Sequence, residues 1–128
     1  MRMSNTQFTN NLPRVTSNIR SRASAVVRKT VAEIETRIKT SFAEPKHGAV
    51  YGAHQASAPG EAPAIDHGIL AGSVQAYMDT DLKGGIGVGA EYGPYLEYGT
   101  STIAPRPFMV PAAESVKQEF QESLRNLT

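Results

Sequence analysis

Few residues of this chain have the type and spacing to do chemistry: three histidines, a scatter of serines, and one carboxylate, Glu97, set among aromatic residues. A zinc site would need His47, His54 and His67 to converge with a carboxylate such as Glu61 or Asp66, and their spacing follows no metal-ligand motif. They read as exposed loop histidines. Ser57, Ser73 and Ser101 sit in no Gly-x-Ser-x-Gly turn and have no lysine three positions on, so serine nucleophile chemistry has no support. Gly85, Gly87 and Gly89 alternate inside a strand pattern with no phosphate-binding helix after them, which suits close backbone approach rather than a dinucleotide site. Glu97 has two readings, a buried acid with a raised pKa or an ion-paired anchor held by Arg106. A lone carboxylate without a second catalytic group favours the anchor. The expectation is a non-enzyme without cofactor or metal.

Around Glu97 the run from Tyr92 to Pro111 holds three tyrosines, a phenylalanine and four prolines. Rigid aromatics offer large amphipathic area at low entropic cost, and prolines pre-order the chain, so the composition suits docking on another protein. The residues expected to form the subunit or partner interface are Tyr92, Tyr95, Glu97, Tyr98, Gly99, Thr100, Arg106, Pro107 and Phe108.

At 128 residues the chain suits one domain with one modest core. It has no cysteine, which removes disulfides, thiolate zinc sites and cysteine nucleophiles together. No run of about 18 apolar residues and no signal-like N-terminus occurs, so a cytoplasmic protein without membrane contact is expected. The net charge of +1 hides a division. Eight bases against two acids give +6 up to Thr40, and five bases against ten acids give −5 from Ser41 onward. Such halves can steer neighbouring subunits together. Arg20, Arg22, Arg28 and Lys29 are candidates to face DNA or a partner, and a basic-helix nucleic-acid-binding module is the alternative reading of the whole chain.

These residues need elements to position them. Residues 1–12, rich in Asn, Thr and Ser, read as a flexible arm. From Pro13, the apolar positions Val15, Ile19, Ala23, Val26, Val27, Val31, Ile34, Ile38 and Phe42 recur at steps mostly of three and four. That spacing predicts a long helix over 13–43, with Arg14, Arg28, Glu35 and Lys39 on its opposite face. At about 1.5 Å per residue it outruns a compact domain, so part of it should project or meet another subunit. Residues 44–65 read as a loop arm, and Asp66 as the cap of a short helix reaching Ala71. Alternation predicts strands over 73–79 and 86–90 joined by a turn over 80–85, a hairpin that must pack on the long helix. A short helix over 92–98 ending at Gly99, an extended stretch over 100–107 and a last helix over 111–128 follow. The last helix should bury Ala113, Val116, Phe120, Leu124 and Leu127. The fold class is α+β, a long N-terminal and a C-terminal helix packed on a small antiparallel sheet, with 66–110 carrying short helix, hairpin and aromatic loop.

Four pieces stand in order: Ala-Ser-Ala-Pro-Gly-Glu-Ala-Pro (56–63), Asp-His-Gly-Ile-Leu-Ala-Gly-Ser (66–73), Tyr-Gly-Pro-Tyr-Leu-Glu-Tyr-Gly-Thr (92–100) and Arg-Pro-Phe-Met-Val-Pro-Ala (106–112). Together they resemble the tail-completion or minor tail proteins, the head-tail joining components, of long-tailed bacteriophages and prophages. The resemblance runs from about Tyr51 to the C-terminal helix. It implies a structural virion protein of the neck or tail end that assembles as a ring, commonly a hexamer, with DNA passing through the lumen without sequence-specific binding. The implied partners are further copies of itself and tail terminator, tail tube or connector proteins. Its implied location is the host cytoplasm during assembly and then the virion.

Overall fold

The computed structural model describes residues 5–64 and 68–127, with side chains from residue 13 onward. Asp66, offered above as a helix cap, and His67 lie outside the described residues. The architecture is α+β, with a long N-terminal helix, a C-terminal helix and two small antiparallel hairpins.

Helix α1 runs Asn5–Ala43 and therefore begins eight residues before the expected start. Pro13 lies inside it rather than at its first turn. No breaker stands between Asn5 and Leu12, and adding one residue to an existing helix costs far less than starting one, so the weak helix formers there join. At about 1.5 Å per residue, α1 is roughly 58 Å long. Residues 13–18 are all exposed, so this stretch stands clear of the body. Further along, Val31, Ile38 and Phe42 are buried, as their spacing requires. Glu35 departs from its expected solvent face, because its Oε1 accepts the Ala76 N–H at 2.9 Å.

Residues 44–64 carry more order than a loop arm. Strands β1 (Val50–Tyr51) and β2 (His54–Gln55) pair around the two-residue turn Gly52-Ala53, and Gly52 takes φ 62°. A positive φ at the first turn position is what a type II′ hairpin needs. So short a hairpin leaves no hydrophobic alternation to read in the sequence.

Helix α2 (Ile69–Ser73) leads into β3 (Val74–Thr80), which pairs with β4 (Lys83–Val88). The connecting turn is Asp81-Leu82, shorter than the span expected from its glycines. Gly84 and Gly85 belong to the strand. A Cβ on Gly84 would lie 2.8 Å from the Tyr77 carbonyl oxygen and 3.0 Å from Val31 Cγ1, so glycine lets the hairpin settle directly on α1. Gly84→Ala should therefore cost about 2 kcal/mol in a urea melt. Gly85→Ala meets the movable Tyr77 ring end instead and should cost far less. The hairpin lies across α1, as a two-stranded sheet must to be stable.

At the hairpin tip, Arg20 grips Asp81 through two bonds of 2.6 and 2.7 Å. The Arg20 hydrogen bond and charge hold the Asp81 carboxyl below its ordinary value. A lowered folded-state pKa means that this tether contributes fully above the unfolded aspartate value and is lost as pH falls through the folded one. A carboxyl-detected NMR titration should show Asp81 titrating low, with the amides of the tip shifting in step. In Arg20→Gln, Asp81 should rise towards its ordinary value.

Helix α3 (Gly93–Tyr98) follows β4, and helix α4 (Met109–Arg125) packs against α1. Helix α4 starts two residues earlier than expected and buries Ala112 and Val116, while Ala113 and Leu124 face out. The core joins Ile38, Phe42, Leu70, Val74, Phe108 and Ala112. Phe42 and Phe108 meet edge to face with ring centres 5.4 Å apart.

Candidate interaction surface

The first turn of α4 reads Met-Val-Pro after Phe108 and offers no side chain to cap its own N-terminus. Four backbone donors at a helix start lack partners within the helix. Glu97 supplies the partners from α3. Its Oε1 accepts the N–H of Phe108 at 2.9 Å and of Met109 at 2.7 Å, and its Oε2 accepts that of Val110 at 3.2 Å. The fourth position is Pro111, which has no N–H to satisfy. A carboxylate at the positive end of a helix is favourable by charge as well as by hydrogen bonding. Glu97 is 8% exposed, so these bonds are screened from water.

The expected pairing of Glu97 with Arg106 is therefore overturned. Arg106 turns the other way, where its guanidinium donates to Ser57 Oγ at 3.2 Å, the Ser57 carbonyl at 3.4 Å and the Ala104 carbonyl at 2.7 Å. Its own N–H donates to the Leu96 carbonyl at 2.6 Å. Arg106 thus ties the root of the β1–β2 arm to the chain following α3. A carboxylate satisfied by three backbone donors has no need of a cation. The missing cap residue at the start of α4 was the one sequence signal for this role.

Phe108, expected at the interface, is 2% exposed and belongs to the core. Pro107 is half-buried and lines a groove with Lys46, Glu61 and Pro111. Residues 100–103 form a tight turn where an extended stretch is expected: Thr100 Oγ1 accepts the N–H groups of Thr102 and Ile103, and the Thr100 N–H donates to the Ile103 carbonyl. Gly99 ends α3 at φ 76°, as expected, with its N–H on the Tyr95 carbonyl. A side chain there would collide with Ile103 and Pro105.

What remains at the surface is tyrosine. Tyr92 is 43%, Tyr95 62% and Tyr98 77% exposed. Tyr92 stands at the N-cap of α3, and Tyr95 and Tyr98 follow on the helix at three-residue spacing, braced by the buried Glu97. Tyr92 borders a cavity of about 310 Å³ with Leu96, Ile69 and Arg106, and Tyr98 borders another of about 220 Å³ with Val88, Pro94 and Met109. The short helix thus presents aromatic rings on a fixed support.

The basic candidates divide. Arg20 is engaged with Asp81, and the Arg28 charge acts on the same carboxylate, whereas Arg22, Arg28 and Lys29 are exposed on α1 and make no hydrogen bond or ion pair among the described residues. His47 contacts Glu61 at 3.1 Å, and no group of three metal-ligating side chains occurs among the described residues. Among those residues, no helix is long and apolar enough to cross a membrane. Comparison of the chain with protein-family models, with curated proteins and with solved structures finds no match.

Proposed function

We propose that this protein is a structural assembly subunit, ring-forming, of the kind found at the neck or tail end of a long-tailed phage. The observation that carries the reading is the tyrosine ridge along α3 and its N-cap, exposed at Tyr92, Tyr95 and Tyr98 and backed by the Glu97 cap. Exposed tyrosines on a fixed support are typical anchors of protein interfaces. The order of the four motifs described above supplies the phage context. The division of charge between the basic first 40 residues and the acidic remainder gives copies of the chain a means of steering one another. On this reading Arg22, Arg28 and Lys29 face either a neighbour's acidic surface or DNA in the lumen, held without sequence preference.

The test is mass in solution by light scattering across a concentration series. Wild type should associate, and Tyr95→Ala/Tyr98→Ala should weaken association at least about tenfold while changing folding stability by less than about 0.5 kcal/mol. Unchanged association in that double variant would remove the ridge from the interface.

A further inference from the structure

Strands β3 and β4 form a sheet with two edges, and this chain closes one of them. The N–H of Val74 bonds the Ala71 carbonyl, and that of Ala76 bonds Glu35. Both point away from β4. Gly89 N–H, by contrast, bonds Ser73 across the hairpin. In an antiparallel ladder inward and outward groups alternate, so the register places the backbone groups of Gly84, Ile86 and Val88 on the outer edge of β4. No protein partner is recorded for them among the described residues. An open edge of this kind is a template for another strand.

The surroundings restrict what can enter. Glu35 marks the β3 flank of α1, and at about 100° per residue Thr30 and Ile34 lie towards the opposite flank. Thr30 lines the groove shared with Val116 and Phe120 of α4. Helix α4 therefore lies on the side of β4, below its open edge. A second β3–β4 hairpin would bring its own α1 into that space. A short extended segment that leads with exposed apolar side chains fits, and the β1–β2 arm is such a segment: its Val50 and Tyr51 are 66% and 68% exposed. At the Val88 end, the open edge reaches the cavity beside Tyr98, so it is continuous with the tyrosine ridge.

We infer that the β1–β2 arm of a second copy adds to the open edge of β4, with the backbone of Gly84, Ile86 and Val88 forming the new ladder and an apolar arm side chain entering the cavity beside Tyr98. Such strand addition takes its affinity from main-chain hydrogen bonds and its specificity from side-chain pockets. Donor arm and acceptor edge are different surfaces, so each copy can give and receive, which builds rings or filaments. The choice of occupant rests on the self-assembly proposed above. The open edge does not.

The test is amide hydrogen exchange on the full chain below and above the concentration of association, for wild type, Val50→Asp/Tyr51→Asp and Ile86→Pro. The Ile86 N–H takes no part in the β3 ladder, so its loss strikes the edge, and a thermal melt checks that the packing of residue 86 survives. On association the amides of Gly84, Ile86 and Val88 should slow at least about tenfold, and the arm variant should lose both that protection and the association. Association with those amides unchanged, or protection persisting in the arm variant, would overturn the arm-to-edge pairing and leave self-assembly standing. A wild-type chain that stays monomeric at every concentration would overturn both.

Discussion

Glu97→Ala should lower folding stability by about 4 kcal/mol, the largest loss expected for any polar residue of this chain. Three N–H groups at the head of α4, that of Phe108 buried and those of Met109 and Val110 part-buried, would lose their acceptor at once, and leaving a buried donor unsatisfied costs about 1–3 kcal/mol. The sum falls short of full additivity because water entering the gap recovers part of it. Glu97→Gln keeps one acceptor oxygen but turns an NH₂ group towards donors, so roughly half the loss is expected. Arg106→Gln removes bonds to Ser57 and Ala104 and should cost about 1 kcal/mol. Urea denaturation followed by circular dichroism separates the cases. A double variant no less stable than Glu97→Ala alone would show that the two side chains act as a pair after all.

Phe108→Ala should cost a further large amount, about 4 kcal/mol, because it empties the centre of the core where Phe42, Ala112 and Val74 converge. The ring also loses its edge-to-face partner. Its effect on assembly would then follow from unfolding and not from a lost contact. Tyr98→Ala, on a side chain 77% exposed, should leave the urea midpoint nearly unchanged. The contrast matters for any alanine scan of the segment: Tyr95 and Tyr98 test the docking proposed above, whereas Phe108 reports on folding. If Phe108→Ala melted like wild type, the placement of this ring in the core would be wrong.

The parts of the fold legible in the sequence are those with a repeating apolar signal. Val31, Ile34, Ile38 and Phe42 mark a helix by spacing alone, and Val74, Ala76 and Met78 mark the packed face of a strand. The misread parts lack that signal. Gly84 and Gly85 look like turn residues because close approach and tight turning ask for the same amino acid. The arm at Val50–Gln55 is held by backbone pairing, which leaves no side-chain pattern. Glu97 reads as an anchor in the sequence, but its partners are peptide N–H groups and not Arg106. Peptide N–H groups carry no residue identity, so a carboxylate that caps a distant helix looks, in sequence, like one awaiting a cation. Phe108 was misplaced because an Arg-Pro-Phe run resembles an exposed arm, although the proline delivers the ring inward. The three tyrosines suggest contact by composition, and the structure shows them exposed.

The partners of α1 have a consequence for the chain while it is being made. Glu35 waits for Ala76, Arg20 for Asp81, and the flank lined by Val26 and Thr30 for Val116. At a synthesis rate of about 5–20 residues per second, roughly 4–15 s separate the end of α1 from the arrival of its last partner. During that interval a long helix with an uncovered apolar stripe stands at the ribosome. The nascent chain is therefore a natural client for a ribosome-bound chaperone, and slowing translation of residues 80–116 should lower soluble yield more than slowing that of residues 5–43.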